Sequence, residues 1–248
     1  MHVLELENVT KRFGGLVAVS HLDFHVEEGE VVGLIGPNGA GKTTVFNLIS
    51  GALVPDTGVI RFKGKRINGL RPHRICRMGV ARTFQSVKIF PNMTVFQNVL
   101  MGSLFGASTR VAPPGTARDA EEVLKFVGLA SASSSPARHL TLASRKRLEV
   151  ARALATKPQL LLLDELMAGL NPTEVVEAME LVFRIRDRGI TVVMIEHVMK
   201  AVMNACDRIV VLHHGEKVAE GRPEEIARNE QVIEVYLGRS EEHHAGGD

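Results

Sequence analysis

Cysteine is scarce in this chain of 248 residues, which contains only Cys76 and Cys206. They lie far apart and show no metal-ligand spacing, so we expect cytosolic thiols and neither a disulfide framework nor a thiolate zinc site. No apolar run approaches the roughly 20 residues that span a bilayer, so we do not expect the chain to enter a membrane by itself. The first five residues carry charge and no apolar core follows them, which argues against a signal peptide.

Excess charge of either sign is also missing. Lys and Arg total 30 against 28 Asp and Glu, and the formal net charge is +2. This balance argues against a dedicated nucleic-acid-binding protein, and we expect no nucleic acid among the partners. With 45% hydrophobic and 23% charged residues, the chain has the composition of an ordinary globular protein. We expect residues 239–248, which include His243 and His244, to form a flexible tail and not a metal site.

The chain does contain a glycine-rich segment at residues 36–44 that fits the pattern G-x-x-x-x-G-K-[ST]. An apolar run at 30–35 predicts a strand before it, and apolar residues at helical spacing in 45–50 predict a helix after it. Glycines let the backbone wrap phosphate oxygens, and the N–H groups of the loop and helix start then point at the anion. We expect Lys42 to add a charge for the β- and γ-phosphates and Thr43 a hydroxyl for Mg²⁺. The predicted nucleotide-binding residues of this loop are Gly36, Pro37, Asn38, Gly39, Ala40, Gly41, Lys42, Thr43 and Thr44.

Strand patterns occupy the two ends of the chain. Residues 3–9 and 21–26 alternate apolar and polar residues, as half-buried antiparallel strands do, with a turn predicted from Lys11. Continuous apolar runs at 160–163 and 191–195 predict fully buried parallel strands. Strand character is also predicted for 80–85, and helices are predicted for 173–186, 197–206 and 223–237.

The middle of the chain shows helical patterns without strands. Thr94 and Gln97 have the spacing of a capping box before an apolar helix, and residues 119–129 are amphipathic. Residues 106–115 read as a loop and 131–136 as a linker. We therefore predict a helical subdomain at 86–157, inserted into an α/β core formed by 1–85 and 158–248.

Two carboxylates, Asp164 and Glu165, follow the predicted strand at 160–163. The carboxyl end of such a strand faces the phosphate loop in a parallel sheet. We expect Asp164 to hold Mg²⁺ beside Thr43, and Glu165 to polarise a water against the γ-phosphate. The alternative interpretation is an acidic turn after a strand.

Two further polar residues belong to the same row of strand ends. His197 follows the strand at 191–195, where a neutral imidazole could contact the γ-phosphate and orient Glu165, although a lone histidine is more often structural. Gln85 follows the predicted strand from Val80, and its amide could ligate Mg²⁺ or a water.

These motifs, in this order, resemble the nucleotide-binding subunit of an ATP-binding-cassette (ABC) transporter. The set runs from Phe13 through the glycine loop, Gln85, a segment near Leu140 and the carboxylates to His197. Residues 77–85 and 168–172 are further similar to the branched-chain amino-acid importer ATPases, of the larger, LivG-like type. The resemblance implies a P-loop NTPase (RecA-like) core with an antiparallel β subdomain and an inserted α-helical subdomain.

The resemblance also implies a function and partners. Such a subunit binds ATP and Mg²⁺ and hydrolyses ATP to drive transport. It pairs with a second ABC ATPase subunit, as a heterodimer or a homodimer in the ATP state, and with two membrane permease subunits. It indirectly serves a periplasmic binding protein and lies peripherally on the cytoplasmic face of the inner (plasma) membrane. Phe13 would stack on adenine, Gln85 would couple the nucleotide to the membrane partner, and residues 168–171 would cross the dimer interface.

One motif departs from the family pattern. The signature, which acts on the ATP bound to the partner subunit, would lie at Thr141, Leu142, Ala143 and Ser144, but the expected glycine and glutamine are replaced by Ala143 and Ser144. A Cβ at Ala143 narrows the approach to phosphate or excludes a positive φ. Thr141 still offers a hydroxyl, and the start of the helix still offers its dipole to the phosphate. Two interpretations therefore stay open: a weakened phosphate contact, and a contact that still suffices. Leu166 also replaces a common proline, which predicts a looser turn after Glu165.

Other functions remain open. The alternatives are an ABC ATPase of another transporter (urea, amide or lipid export), a soluble cassette ATPase of translation or DNA repair, and a small-molecule kinase. The soluble machines usually carry two cassettes or a long coiled coil, and this chain shows one cassette and no heptad run. The apolar segment 88–96 is our predicted docking site for a permease helix, and packing inside the helical subdomain is the alternative.

Overall fold

A six-stranded sheet lies at the centre of the protein, which is described here from a computed structural model of residues 2–106 and 115–242. Its strands follow the order β10-β9-β3-β8-β7-β6, and every neighbouring pair is parallel except β10 with β9. All residues of β3, β7 and β8 are buried, which explains their continuous apolar sequences. The strands are β3 (Val31–Ile35), β6 (Val80–Arg82), β7 (Leu160–Asp164), β8 (Thr191–Ile195), β9 (Arg208–His213) and β10 (Glu216–Gly221).

A four-stranded antiparallel sheet packs on this core. Its order is β2-β1-β4-β5, with strands β1 (His2–Phe13), β2 (Leu16–Glu27), β4 (Thr57–Phe62) and β5 (Lys65–Arg66). The predicted antiparallel strands are confirmed, but they are longer than predicted. Lys11 pairs with Val19 within the ladder, so the turn begins after Phe13 and not at Lys11.

Nine helices are found in the described ranges: α1 (Lys42–Ile49), α2 (Pro72–Met78), α3 (Val95–Gly106), α4 (Thr116–Phe126), α5 (Leu142–Leu154), α6 (Pro172–Arg186), α7 (Met199–Ala205), α8 (Pro223–Ile226) and α9 (Glu230–Glu242). Three predicted boundaries are wrong. Helix α7 begins at Met199, so His197 precedes it, and β6 ends at Arg82 instead of continuing to residue 85. The single closing helix is two helices, because the Asn229 side chain accepts a hydrogen bond from the Val232 N–H and starts α9.

Residues 86–157 contain α3, α4 and α5 and, in their described part, no strand beyond an isolated bridge between Thr94 and Pro136. The predicted capping box is present, since Gln97 N donates to Thr94 Oγ1 at 3.1 Å and Thr94 N donates to Gln97 Oε1 at 2.9 Å. The predicted linker is held in place, because Val95 N donates to Ser135 O at 3.0 Å. Of the predicted loop and tail, residues 107–114 and 243–248 lie outside the described residues. The division into subdomains stays a prediction.

The central sheet separates two hydrophobic cores. Leu161 and Leu163 of β7 face a cluster shared with α3 to α7, whereas Leu160 and Leu162 face a cluster shared with α1 and the antiparallel sheet. Successive side chains of a strand point to opposite faces, so both faces need apolar residues. This arrangement brings the carboxyl ends of β6, β7 and β8 to one edge beside the loop between β3 and α1.

Candidate functional site

The loop at residues 36–44 connects β3 to α1, and its shape requires glycine at two positions. A Cβ at Gly36 would lie 2.0 Å from the Leu212 carbonyl oxygen, and one at Gly41 would lie 2.4 Å from the Ala18 carbonyl oxygen. Both residues have positive φ, and so does Gly39 at 82°. The positive φ angles of these glycines let the loop curl, so the N–H groups of the loop and of the start of α1 can point at one anion.

Lys42 is folded against this loop. Its side chain is almost fully buried, and Nζ donates to the carbonyl oxygens of Gly36 at 2.6 Å and Pro37 at 2.9 Å. The loop thus holds one fixed positive charge at its centre. Around it, Asn38 and Thr43 are exposed, Thr44 is half-buried and Ala40 is buried.

The far end of the chain reaches the same loop. Tyr236 of α9 is the only tyrosine of the sequence, and it accepts a hydrogen bond from the backbone of Gly36. Burial raises the pKa of Tyr236, and this hydrogen bond opposes the rise. The contact was not predicted, since nothing in a helical pattern 200 residues downstream indicates it.

Gln85, Glu165 and His197, three predicted catalytic residues, lie together. Gln85 Nε2 donates to both carboxylate oxygens of Glu165 at 3.1 Å, and His197 Nε2 lies 3.0 Å from Glu165 Oε1. Glu165 adopts a φ of 52°, which is uncommon for a residue with a side chain. The structure therefore places one carboxylate between an amide and an imidazole at the strand ends, where it can accept a proton from a water.

Asp164 is held by a residue that we did not predict. Arg82 Nη2 donates to Asp164 Oδ2 at 2.7 Å, and both side chains are nearly buried. The other oxygen, Oδ1, is buried and has no hydrogen-bond partner among the described residues. A carboxylate oxygen of this kind fits Mg²⁺, which takes oxygen ligands. The sequence signal for Arg82 was a charged residue at the end of an apolar strand.

Two further charged residues stabilise the turn after Glu165. Lys146 Nζ donates to the Glu165 carbonyl oxygen at 2.6 Å, and Met167 N donates to Glu196 Oε1 at 2.8 Å. Leu166 is buried, so the turn that we predicted to be loose is fixed by packing and by these two bonds. Desolvation lowers the pKa of Lys146 and raises the pKa of Glu196 to about 7.

Glu196→Gln is expected to change how stability depends on pH. The folded protein holds the Glu196 proton up to a pKa of about 7, against 4.5 for an ordinary glutamate, so wild-type stability falls as pH rises between these values and is level above them. Glutamine does not titrate, so the variant does not lose this stability. Its free energy of unfolding should therefore rise relative to that of wild type by at most about 3 kcal/mol between pH 4.5 and pH 7. Urea unfolding at several pH values measures the difference. The exposed Glu224→Gln serves as control, and a pH-independent difference between wild type and Glu196→Gln would refute the prediction.

The signature segment forms the start of α5. Thr141 is its N-cap, and its Oγ1 accepts a hydrogen bond from Ser144 N at 3.3 Å. Leu142 is exposed, whereas Ala143 is buried within the helix and has no positive φ. In this conformation Ala143 needs no positive φ, so its Cβ costs the backbone nothing, and the narrowed approach to phosphate stays a prediction.

Phe13 lies at the end of β1 on the antiparallel sheet. Phe13 is 46% exposed, and Lys11 Nζ lies 5.7 Å from its ring centroid. An exposed aromatic side chain of this kind can stack on a base.

The sequence matches two family models. The model described as "ABC transporter" covers residues 19–168, which include the loop, Asp164 and Glu165. The chain belongs to the ABC transporter family. A second model, "Branched-chain amino acid ATP-binding cassette transporter", matches residues 216–242 of this ABC ATPase, which include α9.

Curated relatives cover nearly the whole of this ABC ATPase. BraF of Pseudomonas aeruginosa, a high-affinity branched-chain amino acid transport ATP-binding protein, is 41% identical across 96% of this chain and 98% of its own. LivG of Escherichia coli, described in the same words, has the same identity and coverage. LptB of Haemophilus influenzae, a lipopolysaccharide export system ATP-binding protein, is 32% identical over 96% of this chain and 98% of its own.

Solved structures confirm the predicted fold. A crystal structure of an ATP-binding cassette of an ABC transporter in its ADP conformation has a TM-score of 0.88 at 32% identity, covering 96% of this chain and 99% of that one. A nucleotide-free ATP-binding cassette has a TM-score of 0.87 at the same identity. The chain is therefore an ATP-binding ABC ATPase with the P-loop NTPase fold. Among the described helices, none has both the length and the apolar character to cross a membrane.

Proposed function

We propose that this ABC ATPase energises an importer of branched-chain or other hydrophobic amino acids. The observation that carries the proposal is the match of residues 216–242 to the branched-chain cassette model. The 41% identity to BraF and LivG supports it. LptB, at 32%, favours lipid export as a second candidate.

Uptake measurements test the proposal. Deleting the gene should abolish high-affinity uptake of radiolabelled leucine, isoleucine and valine, and the wild-type gene should restore it. The Glu165→Gln gene, made at the same level, should not restore it. Normal uptake of all three amino acids, together with impaired lipopolysaccharide export, would favour the second candidate instead.

The subunit works in an assembly. It pairs with a second ABC ATPase subunit, and two permease subunits connect the pair to the periplasmic binding protein. Dimeric structures of a bacterial ABC transporter cassette, 26% identical to this chain, support the pairing. The chain then lies peripherally on the cytoplasmic face of the inner membrane, held there by the permeases.

The site residues divide the work of ATP hydrolysis. The loop at 36–44 and Lys42 bind the phosphates, and Phe13 stacks on adenine. Asp164, Thr43 and Gln85 would hold Mg²⁺ through their oxygen atoms, and the bound ion would neutralise phosphate charge. Glu165 accepts the proton of the attacking water as general base. His197 lies beside Glu165 Oε1 and orients the carboxylate or that water.

A groove of about 740 Å³ next to the site receives a cytoplasmic helix of a permease. Phe84 and Phe90 line it with partly exposed rings, and Ile89 adds apolar surface. Backbone N–H groups of Phe84 and Lys88 donate to Glu149 of α5, so the wall that follows Gln85 is tied to the signature helix. A helix seated here can therefore act on both halves of the site.

Only the first part of the predicted docking segment, residues 88–96, lies at the groove. Lys88, Ile89 and Phe90 line the groove, whereas Val95 is fully buried in the core and Phe96 packs against it. Basic groups of Lys88 and Arg152 lie at the groove, so an amphipathic helix with acidic residues on its polar edge fits it best.

The altered signature makes the two sites of a heterodimer unequal. The site on this chain's loop receives the partner's signature, whereas the partner's loop receives Thr141, Leu142, Ala143 and Ser144. Thr141 uses its hydroxyl to cap α5. We therefore expect the catalytic Glu→Gln change in this chain to remove more of the transporter's ATPase activity than the same change in the partner. Equal losses in the assembled transporter would disprove the asymmetry.

A further inference from the structure

Arg82 joins three elements of the ATP site. Its guanidinium donates to Asp164 Oδ2 at 2.7 Å, to Asn47 Oδ1 at 2.6 Å and to Ser50 Oγ at 3.4 Å. Asn47 belongs to α1, the helix that starts at the phosphate loop, and Ser50 is its C-cap. One cation thus connects the end of β6, the end of β7 and the phosphate-loop helix.

The same guanidinium also lies at the groove. Its central carbon is 5.5 Å from the ring centroid of Phe46 and 5.3 Å from that of Phe84. Phe46 is fully buried, but Phe84 is 42% exposed, and both Arg82 and Phe84 line the groove. A helix that enters the groove would press on the Phe84 ring, which packs on the cation that holds Asp164.

We propose that Arg82 is a positioning residue that orients the Asp164 carboxylate for Mg²⁺ and couples this orientation to the groove. The inference rests on the proposed role of Asp164. Arg82 occupies Oδ2 and leaves Oδ1 as the buried oxygen without a partner among the described residues. Removing Arg82 takes the ion pair and the Oδ2 hydrogen bond away from a buried carboxylate, which costs more than the loss of an exposed pair and leaves its orientation less constrained.

The test measures binding of a fluorescent ATP analogue to the purified full-length protein, once with Mg²⁺ and once with EDTA. Arg82→Met should weaken binding about tenfold or more with Mg²⁺ and leave binding in EDTA within about twofold of wild type. Arg82→Lys keeps a cation but not the three-way contact, so its loss of affinity with Mg²⁺ should be smaller. This variant replaces Arg82→Met in the experiment if Arg82→Met does not fold. An equal loss in both conditions would make Arg82 merely structural and overturn the proposal, as would no loss.

Arg66→Met is the matched control. Arg66 is an exposed arginine of β5 and lies outside the residues that line the groove, so the variant removes the same kind of charge at a distance from Asp164. Its Mg²⁺ dependence should match wild type. Asp164→Asn shows how much binding depends on Mg²⁺ through this carboxylate. If the Mg²⁺ dependence of Asp164→Asn equals that of wild type, the proposed role of Asp164 is refuted, and the inference about Arg82 with it.

A double-mutant comparison tests the link to the groove. Phe84→Ala should weaken Mg²⁺-dependent binding about two- to fivefold in the wild-type background, because the ring no longer supports the cation. It should have no further effect in the Arg82→Met background, since the cation is already missing. If the losses of affinity caused by the two substitutions add independently, the groove is not coupled to Asp164.

Discussion

Replacing Glu165 by glutamine is expected to slow ATP hydrolysis by about 10²–10⁴-fold and to leave ATP binding intact. The carboxylate lies between Gln85 Nε2 and His197 Nε2. Glutamine keeps the shape of the side chain and still accepts a hydrogen bond through its carbonyl oxygen. It cannot take a proton from water, so only the chemical step suffers. Phosphate release from the assembled transporter and nucleotide binding to the subunit measure the two effects separately.

The same variant should change how the subunits associate. In the proposed dimer, ATP that is bound but not hydrolysed would keep the two subunits together, so gel filtration of Glu165→Gln with ATP should show more dimer than wild type. Glu122→Gln is the matched control, because Glu122 is exposed and pairs with Arg118 on the surface of α4. Unchanged turnover in Glu165→Gln would remove Glu165 from the role of general base.

Replacing Lys42 by methionine is expected to weaken ATP binding by about 1.5–3 kcal/mol, or roughly 10- to 150-fold. The Nζ group is held against the carbonyl oxygens of Gly36 and Pro37 and supplies the fixed charge at the loop. Methionine keeps the length of the side chain and removes that charge. Equilibrium titration with a fluorescent ATP analogue gives the dissociation constant.

Lys65→Met provides the comparison for Lys42→Met, since Lys65 is an exposed lysine of β5 outside the site. Its affinity for ATP should equal that of wild type. If Lys42→Met also binds like wild type, the nucleotide's phosphates do not meet Lys42, and the site must be built differently around the loop.

Most of the site was predictable because its residues lie at the ends of recognisable strands. Asp164, Glu165 and His197 come at or just after the ends of apolar strands, and Gln85 lies three residues beyond the end of β6. Parallel strands bring such ends to one edge. Their mutual contacts then need only the strand order β8-β7-β6, which places the three ends side by side. The local sequence therefore predicts both the residue types of the candidate site and their approximate position.

The residues that we missed act through partners distant in sequence. Arg82 meets Asp164, Lys146 meets the Glu165 carbonyl oxygen, and Glu196 meets Met167 N. A hydrogen bond between such partners depends on side-chain packing, which a local pattern does not contain. A charged residue next to an apolar strand end was the only signal, and it marks Arg82 and Glu196 alike.

The errors in the fold have different causes. Residues 223–237 have the composition of one helix, but Asn229 caps a second one through a local hydrogen bond from Val232 N. The predicted helix at 197–206 includes His197, yet His197 precedes α7 and contacts Glu165. A local cap thus sets the first boundary, whereas the second goes with a tertiary contact.

The contact between Tyr236 and Gly36 bears on how this enzyme should be handled at the bench. Tyr236 lies near the end of the described residues, where purification tags and truncations are commonly placed, and yet it touches the first glycine of the phosphate loop. A protein shortened before Tyr236 would lose this contact on the predicted phosphate loop. We therefore expect its nucleotide affinity and turnover to differ from those of the full chain, so the last helix should be kept whole.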